Sequence, residues 1–194
     1  MAIDQDILDS RCERMRDIIY SCYLDYSIME FYSRQDENVQ AEQSKHPILH
    51  HIIDLLKRDI CLSLWKICYD KDVNSTTLQN LNTYLRKCGI QTLWSKDHIY
   101  SSLEVEITEA RNKYVAHADL NKAENSISMQ DMRNLLEYVR KSYNTLCISV
   151  VGSSGLTITD QEIALLDLKT VLSVTALLHS NSGGNENAES KKGS

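Results

Sequence analysis

Residues 8–29 read LDSRCERMRDIIYSCYLDYSIM. Within them Leu8, Cys12, Met15, Ile19, Cys22, Tyr26 and Met29 recur at alternating steps of four and three. Residues three and four apart share one face of an α-helix, so this is a helical seam sustained over three heptads. A half-buried strand would alternate with period two, and the stretch does not. The pattern predicts a helix through the first 34 residues. Its seam would face a partner helix of the same bundle or of another chain.

The rest of the chain repeats the theme. Residues 35–46 are polar and unpatterned, which reads as a loop. Pro47 suits the first turn of a second helix, where its missing N–H costs nothing. Ile53, Leu56, Ile60, Leu64 and Ile67 give that helix its apolar face, and it should stop near Asp70-Lys71-Asp72. Ser75 or Thr76 can cap a third helix carrying Leu78, Leu81, Leu85 and Cys88, with Gly89 at the stop position. Residues 90–97 give no pattern beyond a packed Trp94. A fourth helix is expected from Ile99 through Leu103, Ile107, Ala110 and Tyr114 to His117. Ser128 to Asp131 reads as a capping box opening a fifth helix with Met132, Leu136, Val139, Tyr143, Leu146 and Val150 inward. Thr159 to Glu162 is another, opening a sixth segment to about His179, where Val171, Val174 and Thr175 leave helix and strand open. Residues 180–194 carry no apolar side chain except Ala188 and are expected to be disordered. The expectation is one all-α domain over 1–179, a bundle of five or six helices.

Composition narrows the function. Of 194 residues only one is proline and six are glycine, which argues against a many-turned β fold. There are 27 acidic against 21 basic residues, a net charge of −6, so a basic nucleic-acid coat is excluded while a local basic site is not. No apolar run approaches a membrane span, and the acidic start lacks the pattern of a signal peptide. Six cysteines without a Cys-x-x-Cys pair then read as reduced thiols in a cytoplasm.

One constellation carries chemistry: Arg111-Asn112-Lys113-Tyr114-Val115-Ala116-His117. Arginine is a permanent cation that forks two hydrogen bonds onto a phosphate. Histidine takes and gives protons near neutral pH. Together they suffice for RNA cleavage without a metal or a cofactor: the 2′-hydroxyl attacks the adjacent phosphorus, His117 moves a proton, and Arg111 neutralises the charge growing on the phosphoryl oxygens. The bland reading is a solvated arginine and a packed helix-end histidine. Six residues at 100° each place the two side chains about 120° apart around an ideal helix. They share a cleft if the helix end distorts, if Arg111 reaches around, or if a second subunit supplies the complementary group, which predicts a homodimer.

The segment resembles the signature of the HEPN family (higher eukaryotes and prokaryotes nucleotide-binding domains): Arg, four to six residues, then His, often with a polar residue after the Arg, here Asn112. The stretch from Asp54 to Asp70, followed by Ser75-Thr76-Thr77-Leu78, resembles the branch named for abortive infection against phage, in which a long amphipathic helix ends in Asp before a small polar cap. The resemblance covers about residues 5–150. It implies an all-α fold and, in many relatives, a metal-independent endoribonuclease that acts as a homodimer, as a toxin or in phage defence. Other members are inactive binding or scaffold domains. Arg111 and His117 would be the catalytic pair, with Asn112, Lys113 and Tyr114 in support. Relatives paired with a nucleotidyltransferase antitoxin carry Tyr two positions after the His. Here that position is Asp119, which puts that route of regulation in doubt and leaves any antitoxin or regulatory partner unidentified.

Lys57, Arg58 and Arg133 are candidates for holding RNA phosphates, with Arg140 and Lys141 behind them; each taken alone reads better as an ordinary solvated charge. His46, His50 and Asp54 would stack on one helix face with His51 beside them, but Pro47 puts His46 at the boundary and no metal is assigned there. Asp70-x-Asp72-x-Asn74 begins like a calcium loop and fails: Ser75 replaces the turn glycine and Leu81 the bidentate Glu. Tyr20, Tyr23, Tyr26 and Tyr32 on the first helix suit either the rim of a bundle or an interface. A second function class follows from the seam of Leu8 to Met29: a non-catalytic helical module that dimerises or binds a partner.

Overall fold

The structure, a computed structural model, describes residues 4–35, 45, 47–116, 127–150 and 156–182, with the backbone alone for 98, 99, 113, 115, 116 and 177–182. Among the described residues it is all helix: α1 (Gln5–Ser33), α2 (Pro47–Tyr69), α3 (Leu78–Lys87), α4 (His98–Ser102), α5 (Glu104–Ala116), α6 (Met129–Ile148) and α7 (Asp160–Ser182). The all-α bundle is as expected, and the described residues carry seven helices where five or six were expected. None of these helices is long and apolar enough to cross a membrane.

The bundle is built on α1. It packs against α2, α6 and α7, while α5 lies on α2 and the short α3 and α4 pack against α6. Every residue of the seam, Leu8, Cys12, Met15, Ile19, Cys22, Tyr26 and Met29, is buried. The seam therefore faces the chain's own core, and none of it is left for another chain. The tyrosines beside it are packing residues: Tyr23 and Tyr26 are buried and Tyr20 and Tyr32 half-buried. α1 and α2 run antiparallel, with Cys22 beside Ser63 and Asp25 beside Asp59. All six cysteines are thiols, five of them buried, where each acts as a small apolar side chain.

The helix ends follow local chemistry. Asp4 caps α1 by accepting from the Ile7 N–H at 3.2 Å. At Thr159 the capping box is reciprocal: Glu162 Oε2 accepts from the Thr159 N–H at 2.7 Å, and Thr159 Oγ1 accepts from the Glu162 N–H at 3.2 Å. Gly89 sits at φ +84°, where a side chain is disfavoured. The Ile90 N–H then reaches back to the Leu85 carbonyl and the Gly89 N–H to that of Arg86, both at 3.0 Å, closing α3 in a Schellman turn.

Three expectations need correction. The cap of α3 is Thr77, accepting from the Asn80 N–H at 3.0 Å, and not Ser75 or Thr76. Ser75 instead donates to the Asp70 carboxylate, and Asn80 ties the Asp72 and Ser75 carbonyls, so Ser75 is used up by the turn. The fourth helix is not continuous but breaks at Leu103. The Tyr100 carbonyl, which a continuous helix would present to the Glu104 N–H, accepts the Tyr69 hydroxyl at 2.7 Å. The Tyr100 ring meanwhile lies 4.8 Å from that of Tyr69 and 5.8 Å from that of Tyr138, and its hydroxyl donates to the Cys68 carbonyl. A tyrosine cluster between helices thus overrides a local helical pattern. Finally, Val171, Val174 and Thr175 are helical, and α7 continues to Ser182, past the expected His179. Thr170, on the face turned to α1, donates to the Leu166 carbonyl four residues back, as helical threonines do. The rest of the expected tail, 183–194, lies outside the described residues.

Candidate active site

Residues 111–116 form the end of α5, which runs antiparallel to α2 and packs on it. Ile107 and Ala110 are buried and set the contact. One residue further round, Arg111 is half-buried, and its guanidinium carbon lies 4.5 Å from the centre of the Trp65 ring on α2. That is a cation–π contact, in which the negative face of the indole attracts the charge. One guanidinium N–H donates to the side-chain oxygen of Asn112 at 2.9 Å. Among the described residues no carboxylate comes within ion-pair distance of Arg111.

The charge of Arg111 is felt by Asp70, just past the end of α2. Its carboxyl is held below the usual range, first by the Ser75 hydroxyl, then by the Asp72 N–H, and further by the charges of Lys66 and Arg111. Asp70 accepts from the Asp72 N–H at 3.0 Å, and Asp72 in turn accepts from the Asn74 N–H at 2.9 Å. These are turn-forming bonds, so the Asp70–Asn74 stretch that begins like a calcium loop is a local turn.

Tyr114, one turn after Arg111, is half-buried against α2. Burial pushes its phenol up to about 12, Cys61 and Asp54 add to this, and Arg58 opposes it. Tyr114 is therefore a neutral hydroxyl at working pH. Lys57 and Arg58 are half-buried on the same stretch of α2, and the Nε of Arg58 is buried with no hydrogen-bond partner among the described residues. Asn112 is exposed. Arg111 and Trp65, and Tyr114 and Arg58, are thus neighbours across α2 and α5, with Lys57 beside Arg58 on α2. His117 and Asp119 lie outside the described residues, as does the side chain of Lys113.

Arg133 does not join this group. It lies 3.6 Å from Glu30 and over the Tyr26 ring at 5.3 Å, both on α1. Arg140 is buried and paired with Glu137 at 2.9 Å and Asp160 at 2.6 Å, which makes it a structural cation. Lys141 is exposed and lines a separate cleft of about 540 Å³ between residues 93–97 and α6, together with Trp94, Asn134, Tyr138 and Ser142. His50, His51 and Asp54 are exposed on α2, and His46 is outside the described residues. Among the described residues no three His, Cys, Asp or Glu side chains gather to hold a metal.

Two features of the molecule escape a reading along the chain. Trp65 stands one residue off the apolar stripe that runs through Leu64, and that misplacement is its only sequence signal. The cleft at Trp94 has none, because its walls come from segments about 40 residues apart. No known protein family, no curated protein and no solved structure matches this chain.

Proposed function

We propose that this chain is a metal-independent endoribonuclease of the HEPN type, acting in the cytoplasm as a homodimer in phage defence or as a toxin. The RNA's 2′-hydroxyl attacks the adjacent phosphorus and the bond to the 5′-oxygen breaks. His117 carries the proton traffic, Arg111 stabilises the charge on the phosphoryl oxygens, and Asn112, Lys113 and Tyr114 support them. Lys57 and Arg58 extend the positive face along α2. The observation that carries this reading is Arg111 itself: a half-buried guanidinium held on an aromatic face, with no carboxylate in ion-pair range among the described residues. A cation meant only for stability is usually paired, as Arg140 is. The all-helical bundle, with the segment late in α5 and a long helix after it, agrees with the family's layout.

The test is cleavage of total cellular RNA in EDTA by wild type, His117→Ala and Arg111→Ala. Activity that survives EDTA, leaves a 2′,3′-cyclic phosphate and a 5′-hydroxyl, and is lost in both variants is the expected result. Equal RNA profiles for all three proteins, each helical by circular dichroism, would sink the reading.

A second reading rests on α7, where Leu165, Leu168, Val171 and Leu172 are exposed along one face. It makes the chain a non-catalytic helical module. With the α1 seam buried, this is the face such a module would use, and wild type that ignores RNA yet loses self-association in Leu168→Asp would favour it.

A further inference from the structure

We infer that Trp65 is the positioning residue for Arg111: its indole face holds the guanidinium in place of a carboxylate and keeps the charge available to an RNA phosphate. This rests on the reading of Arg111 given above.

The argument is one of geometry and competition. A guanidinium can be fixed by a carboxylate, by hydrogen bonds or by stacking. A carboxylate would take two N–H groups and cancel the charge, leaving little for a phosphate. Stacking uses the flat face, while all the N–H groups lie in the plane and point outward from it. At 4.5 Å from the ring centre, Arg111 sits well inside the range of such contacts, and one N–H is engaged by Asn112. The indole is a firm support: it is half-buried on α2 between the buried Leu64 and the buried Ile67 and Cys68. Asp70, five residues on, feels the charge of Arg111 while its oxygens are engaged by Ser75 and the Asp72 N–H. The site thus balances a nearby negative charge without letting it close on the guanidinium.

The competing explanation is packing, in which any bulky apolar side chain at 65 would serve. Trp65→Phe keeps a ring face, Trp65→Leu keeps apolar bulk without one, and Arg111→Ala removes the cation. Three readouts separate them. The first is the upfield ring-current shift of the Arg111 side-chain protons in NMR. The second is the affinity for a mixed-sequence oligoribonucleotide carrying 2′-O-methyl groups, which cannot cleave. The third is kcat and KM on the unmethylated oligonucleotide. The expected result is that Trp65→Phe keeps the shift and stays within a few-fold of wild type. Trp65→Leu loses the shift and lowers kcat by about tenfold or more, with a smaller change in KM, and adds nothing to Arg111→Ala in the double variant.

Wild-type kinetics in Trp65→Leu, or an equal loss in Trp65→Phe and Trp65→Leu, would overturn the inference. If wild type cleaves no RNA, the ribonuclease reading fails and the inference is judged on binding alone. It then stands if Trp65→Leu weakens binding of the methylated oligonucleotide as much as Arg111→Ala does. It falls if the two proteins differ, or if wild type does not bind.

Discussion

The Tyr23 hydroxyl on α1 donates a 2.6 Å hydrogen bond to one oxygen of Glu137 on α6, whose other oxygen accepts from Arg140 at 2.9 Å. Arg140 also reaches the Ile158 carbonyl at 3.1 Å, so one carboxylate ties α1, α6 and the approach to α7 together. Burial pushes the Glu137 carboxyl up, but the bonds from Tyr23 and Arg140 outweigh it and leave the group below its ordinary value.

Tyr23→Phe removes that donor and leaves one Glu137 oxygen without it in a partly dry place. A loss of about 1–2 kcal/mol is expected in urea unfolding. Combining it with Glu137→Gln should cost less than the sum of the two single changes, because both act on one network. Full additivity would show that Tyr23 contributes only by its ring.

Glu162 closes the α7 capping box and pairs with Arg16 on α1 at 2.9 Å. Its carboxyl is lowered from 4.5 to about 2, first by the Thr159 N–H. The stability from this group is present above the unfolded value near 4.5 and is lost as pH falls through the folded value. About a third of the side chain is exposed, so screening keeps the effect small. Glu162→Gln should cost about 1 kcal/mol at pH 7, and the gap to wild type should shrink between pH 4.5 and pH 2. A gap that does not change over that range would refute the assignment.

Asp25 behaves in the opposite sense. Burial, and then the charge of Asp59 across the α1–α2 interface, raise its carboxyl from 3.8 to about 6. The protonated form suits the folded state, so this contribution is present below pH 3.8 and lost as pH rises through about 6. Asp25→Asn should therefore stabilise the chain at pH 7.5 by roughly 1–2 kcal/mol, with a smaller gain at pH 4. Chemical denaturation at the two pH values measures it; a variant less stable than wild type at pH 7.5 would show that the ionised carboxylate is favourable there.

Ile19 is wholly buried in the α1 seam. Ile19→Ala should cost about 2–5 kcal/mol through lost burial and the cavity left behind. Its association state, read by light scattering under native conditions, should match that of wild type. A variant of unchanged stability that loses an oligomer would place the seam between chains.

The helices themselves were legible because their signals are local. The seam of α1 reads off the spacing of seven side chains, and burial follows from that spacing. The Thr159–Glu162 box and the Gly89 stop are made by bonds that span five positions or fewer. Arg111, Asn112, Tyr114, Lys57 and Arg58 are legible in the sequence as candidates only, from charge and motif. Arg133 reads the same way in the sequence, yet it belongs to Glu30 and Tyr26, and nothing in its own neighbourhood along the chain shows that.

By itself the sequence determined an all-helical chain, where most helices start and stop, and which face of each is apolar, because periodicity and capping act within a few residues. Tertiary structure alone decided the rest. It buried the α1 seam inside the chain, broke the fourth helix where the Tyr69 hydroxyl takes the Tyr100 carbonyl, and set Arg111 on Trp65, 46 positions away. Those outcomes depend on which side chains from distant helices arrive at one place, and the energy of a contact depends on distance in space rather than along the chain.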